Sequence, residues 1–72
     1  MTKQELKNKL SNIKNESFVL YINDAINLSF FYDKKDNTIN VKNTEHYSSA
    51  DCYLITEKSI EQLYNFYKDD CK

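Results

Sequence analysis

The sequence predicts an α+β domain: an antiparallel meander of three to four strands flanked by an N-terminal and a C-terminal helix. Three observations point there. Segments with helical amphipathic spacing stand at the two ends, short runs rich in β-branched and aromatic residues lie between them, and the gaps separating the first runs are as short as hairpins need. Seventy-two residues leave room for one core, so residues 1–72 are read as one domain. A chain this short buries only about 60% of its unfolded surface, which places its stability in the lower part of the usual range of about 5 to 15 kcal/mol.

Thr2 and Glu5 have the spacing of a capping box, and Leu6, Leu10 and Ile13 follow at i, i+4 and i+7. The first helix therefore starts at Thr2. Asn12 to Asn15 weaken it, because short amides compete for backbone hydrogen bonds, and Glu16 or Ser17 is expected to end it. Phe18 to Ile22 is an unbroken apolar run, expected to be a central strand buried on both faces. Leu28 to Tyr32 is the second strand. Asp33 to Asn37 is a loop in which Asp and Asn stand in for glycine, since both tolerate left-handed backbone. Thr38 to Lys42 alternates, with Ile39 and Val41 inward and Thr38, Asn40 and Lys42 outward. Asn43 to Asp51 has no period and reads as loop. Cys52 to Ile55 is the fourth strand. Thr56 or Ser59 caps the last helix, whose stripe is Ile60, Leu63, Tyr64 and Tyr67, with Phe66 to one side. Asp69 and Asp70 oppose the dipole at its end.

Composition narrows the function classes. The chain has no Gly and no Pro, which removes the glycine-rich phosphate loop, the dinucleotide fingerprint and the nucleophile elbow together. No cofactor is assigned. Its ten basic residues are all Lys and its net charge is −1, so the bidentate Arg fork that reads guanine is missing and no strong field attracts nucleic acid. No stretch approaches 18 apolar residues and Met1 is followed by a polar run, so the expectation is a cytoplasmic protein without a membrane partner. Phe, Tyr, Met, Ile, Asn and Lys make up half of the chain, the usage of a low-GC genome: a low-GC bacterium, or a phage or plasmid living in one.

His46, Asp51 and Cys52 could act as base, orienter and nucleophile, but no signature surrounds them. The reading of Cys52 that composition favours is a small buried hydrophobe opening an apolar strand. Cys52 and Cys71 lack metal-ligand spacing, and in a reducing cytoplasm free thiols are the expectation, although a pairing of the two is geometrically possible. No catalytic residue and no metal are assigned. The aromatic residues carry more information. Phe18, Leu20 and Ile22 share a face with Leu28, Phe30 and Tyr32, leaving Val19, Tyr21, Phe31 and Tyr53 to the opposite face. If both helices cover one side, that second face is open and marks a protein interface, self-association included; if one helix covers each side, it is core. Tyr47, in the long loop, is a second contact candidate.

The capped helix ending in Ile13, Lys14 and Asn15, the strand Phe18 to Ile22, the hairpin, and Tyr53-Leu54-Ile55-Thr56-Glu57 running into Ser59-Ile60-Glu61 and a helix through Phe66 resemble the small phage-encoded anti-CRISPR proteins of helix, three-stranded sheet, helix architecture. About half of the chain takes part. The resemblance implies a non-catalytic inhibitor that occupies the DNA-reading surface of an RNA-guided nuclease. Such inhibitors are usually strongly acidic and this chain is not, and residues 43–56 add a loop and a strand to their pattern. The reading that combines both lines is an interaction protein that binds a host protein, with Tyr21, Phe31, Tyr47 and Tyr53 as contacts and Glu57 and Glu61 as charged partners. A homodimer through the open face is compatible with it. Two alternatives stand beside it: a single-stranded nucleic-acid binder stacking bases on Tyr21, Phe31 and Tyr53 and tracking phosphate with Lys3, Lys7, Lys9 and Lys14, and a small thiol or redox protein built on Cys52.

Overall fold

Thr2 sets the start of the first helix. In the computed structural model, which describes residues 1–23, 26–43 and 50–71, its hydroxyl accepts from the Glu5 amide at 3.1 Å and the Glu5 carboxylate accepts from the Thr2 amide at 3.4 Å, closing the capping box at the head of α1 (Lys3–Ser11). The helix stops earlier than the sequence suggests. Asn12 leaves helical geometry as the C-cap, and residues 12–15 form a turn in which the Asn15 and Glu16 amides both donate to the Asn12 carbonyl. The amide-rich run ends the helix outright instead of only weakening it, yet Ile13 still reaches the core at 2% exposure.

Four strands follow: β1 (Phe18–Asn23), β2 (Ile26–Asp33), β3 (Thr38–Asn43) and β4 (Ala50–Leu54), paired antiparallel in the order β1-β2-β3-β4. The meander is thus four-stranded, and β1 lies at its edge rather than at its centre. An apolar run says that both faces of a strand carry apolar side chains, not that both are covered; in β1 Phe18 and Leu20 are buried, whereas Tyr21 is 73% exposed. The β1–β2 register runs from Phe18 opposite Phe30 to Asn23 opposite Ile26, with a shift between Tyr21 and Asn23. The Asn23 side chain accepts from the Ile26 amide at 3.0 Å, fastening the start of β2.

Without glycine, the β2–β3 turn is built from side-chain acceptors. Asp33 accepts from the amides of Lys35 (2.9 Å) and Asp36 (3.4 Å), and Asn37 takes the left-handed conformation at φ 55°, its side chain accepting from the Tyr32 hydroxyl at 2.8 Å. After β4, Thr56 caps α2 (Glu57–Tyr67) by accepting from the Ser59 amide at 3.1 Å, and the helix tightens into a 3₁₀ turn over Lys68–Asp70.

Leu6, Leu10 and Ile13 from the N-terminal segment and Leu63 from α2 pack with Phe18, Leu20, Phe30, Ile39 and Val41 from the sheet into one core. Phe18 and Phe30, directly opposite across β1 and β2, stack at 4.6 Å, and Tyr67 meets Phe30 edge-on at 5.4 Å. Every sheet residue in this cluster comes from the same face, so both helices lie on one side of the sheet and the molecule has two layers, with extents of 31 × 29 × 19 Å. Each large side chain buried there contributes about 1.5–3 kcal/mol.

Candidate interaction surface

Strand register decides what the uncovered face carries. Alternation from the buried positions places Val19 and Tyr21 of β1, Asn27, Ser29 and Phe31 of β2, Thr38, Asn40 and Lys42 of β3, and Cys52 and Leu54 of β4 on the side away from the helices. Val19 opposes Ser29, so Phe31 is its diagonal neighbour and Tyr21 stands two residues along the same strand. Phe31, Val19 and Tyr21 form one oblique apolar stripe near the β1 edge, with Phe31 37% and Tyr21 73% exposed. Leu54, 65% exposed, occupies the opposite margin.

Between these two margins the surface is polar, and around Asn40 it is hydrogen-bonded. Asn40 points to this face, as the alternation of β3 predicts, yet it is only 7% exposed because it is flanked across the ladder by Phe31 and Cys52. Its amide nitrogen donates to the Thr38 hydroxyl at 3.2 Å and its oxygen accepts from the Cys52 thiol at 2.7 Å. Cys52 is accordingly exposed on an uncovered face and is not the buried hydrophobe its apolar neighbours suggest. Both cysteines are free thiols, and Cys71 packs against the core on the other side of the sheet. Burial raises the Cys71 pKa; the nearby N-terminus and Lys3 oppose the shift, and Asp70 and Glu5 add to it.

Not all of the sequence-derived contact residues belong to this face. Tyr21 and Phe31 do. Tyr53 does not: it opposes Ile39, so it lies on the helix side, half-buried against the core, and the expectation that it projects with Tyr21 is corrected by the β3–β4 register. Glu57 and Glu61 lie on α2 and line a groove of about 430 Å³ with Lys7 and Tyr64 between the two helices, on the far side of the molecule from Phe31. Tyr47 and His46 fall outside the described residues. Leu54 is the exposed apolar residue of this face that sequence reasoning passed over; the signal was its period-2 spacing from Cys52.

The same geometry separates the parts of both alternative chemistries. Asp51 and Cys52 are consecutive in a strand and project to opposite faces, so they do not form an orienter–nucleophile pair. Tyr21 and Phe31 are on the open face, whereas Lys7 and Lys14 belong to the helical layer, with their ammonium groups 5.7 Å and 5.8 Å from the rings of Tyr64 and Tyr32. Among the described residues no three His, Cys, Asp or Glu side chains converge as a metal site requires, and no helix is long and apolar enough to cross a membrane. No protein-family model matches the chain, and neither a curated protein nor a solved structure matches it significantly.

Proposed function

We propose that this chain is a non-catalytic interaction protein that binds a host protein stoichiometrically through the open face of its sheet, with Tyr21 and Phe31 as the aromatic contacts. The observation that carries the reading is the placement of both helices on one side, which leaves the Phe31–Val19–Tyr21 stripe uncovered in a molecule with little interior to spare. Aromatic side chains rimmed by amides and hydroxyls are the usual make-up of a protein–protein contact.

The partner class follows from the resemblance to helix, sheet, helix anti-CRISPR proteins and from the low-GC residue usage. It is a bacterial effector such as an RNA-guided nuclease, met in the cytoplasm and blocked by a phage or mobile-element product. With a net charge of −1, this inhibitor engages its target by aromatic and amide contact rather than by imitating the phosphates of a duplex.

The test is capture from a low-GC bacterial lysate with the tagged chain and with Tyr21→Asp and Phe31→Asp, followed by titration of the captured protein. Capture of one protein at a one-to-one ratio, lost in both variants while their unfolding stays cooperative, is the expected result. Equal capture by both variants contradicts the reading, and so does inhibition at catalytic amounts of the chain. Retention of oligonucleotides that weakens steeply with salt would instead favour the nucleic-acid alternative.

A further inference from the structure

The two edges of the sheet are unlike. The β1 edge is interrupted by the register shift between Tyr21 and Asn23, a device that discourages strand addition, whereas β4 pairs with β3 without a break from Thr38 opposite Leu54 to Lys42 opposite Ala50. The Ile55 amide donates to the Asn37 carbonyl at 3.1 Å, so alternation gives Tyr53 and Asp51 the ladder bonds to β3 and turns the backbone N–H and C=O groups of Cys52 and Leu54 outward. No described strand pairs with that edge. Within Asp51–Leu54 the one charge is Asp51, and neither Lys nor Pro blunts the edge.

Beside this edge, on the helix side, lies a groove of about 500 Å³ lined by Tyr53 of β4 and Gln62, Leu63, Asn65 and Phe66 of α2. Phe66 is 73% exposed, with its ring held edge-on to Tyr67 at 4.8 Å; Leu54 is the large exposed apolar residue on the other side of the same edge. A strand added to β4 would place successive side chains alternately over Phe66 and over Leu54, covering both. The far end of the groove is acidic. Asp51 precedes Tyr53 by two residues on the same face of β4, and Asp70 follows the C-terminal end of α2, whose dipole adds to their charge. Lys58, one turn before Gln62 on the same flank of α2, stands towards the other end.

From these features we infer that the β4 edge accepts an extended segment of a partner protein as a fifth strand, with a bulky apolar side chain of that segment in the Tyr53–Phe66 groove and a Lys or Arg at the Asp51–Asp70 end. Backbone pairing supplies the affinity and the groove the selectivity. This site does not depend on the open-face reading, because Tyr21 and Phe31 lie at the opposite margin of the sheet.

The probe is a displayed random heptapeptide library selected on the immobilised full chain, followed by amide exchange of the chain with one enriched peptide. Enriched peptides carry apolar residues at alternate positions and at least one Lys or Arg, and binding slows exchange at Cys52 and Leu54 at least tenfold. Phe66→Ser weakens binding at least tenfold and Asp51→Asn several-fold, with the melting temperature of Phe66→Ser unchanged because its ring is exposed; Phe31→Asp leaves peptide binding intact. Failure to enrich, an acidic or helix-patterned consensus, or unaltered exchange at Cys52 and Leu54 overturns the inference. So does a dimer of the chain alone, seen by sedimentation, in which those two amides are already protected, since a second copy would then be the strand that pairs.

Discussion

Tyr67 joins the two layers of the molecule: its ring meets Phe30 in the core and Phe66 at the surface, and its hydroxyl faces the β4 side. Burial raises its pKa above the ordinary 10.0, and the neighbouring Tyr53, Asp51 and Asp70 push it further in the same direction. The folded state thus holds the neutral phenol more tightly than the unfolded chain does. Its contribution to stability is fully present below pH 10 and is lost as the pH rises through the folded pKa. Thermal melts between pH 8 and pH 11.5 should show a falling melting temperature above pH 10, with a shallower fall in Tyr67→Phe; identical slopes for the two proteins would contradict this account. At the same scale, Asn40 and Cys52 illustrate what residue type alone hides. One is polar and buried, the other apolar and exposed, because the ladder sets them side by side on a face that no helix covers.

The elements divide between those the sequence announces and those it does not. The β2–β3 hairpin was legible down to its turn, since a loop without glycine requires Asp or Asn to accept amide bonds and take left-handed backbone, and Asn37 does so at φ 55°. Replacing Asn37 by Ala should cost about 1–3 kcal/mol, the sum of a Cβ forced into that region and the lost Tyr32 bond, whereas Gly loses only the bond. Urea denaturation of the two variants checks this, and equal losses would contradict it. The capping box of α1 and the stripes of both helices were equally readable, whereas at α2 Thr56 alone caps the helix and Ser59 forms no box with Gln62. The facing of β4 was not. Its polarity is inverted, with Asp51 and Tyr53 on the covered side and Cys52 and Leu54 on the bare one, because register with β3 outweighs the preference of four side chains. The length of α1 was misread for a related reason: Ile13 continues the apolar stripe by position, but in a turn, so periodicity ran past the end of the helix.

At the scale of the whole molecule the decisive fact is where the two helices lie. Each carries a single apolar stripe, and stripes of that kind are equally consistent with helices on one face or on both, so the sequence left open whether the second face of the sheet is core or surface. The answer, two layers with all of the described buried residues between them apart from Asn40, sets the candidate site: Tyr21, Phe31 and Leu54 on the bare face, Tyr53 and the two glutamates of α2 on the helix side. The most direct measurement is the rate of alkylation of the two thiols in the native protein, compared with the same thiols in denaturant. Cys52, on the edge strand of the bare face, should react within a few-fold of its unfolded rate, while Cys71, packed against the core with a raised pKa, should be slowed roughly tenfold or more. Strong native-state protection of Cys52 would mean that something covers that face, and the account of the open surface would fail with it.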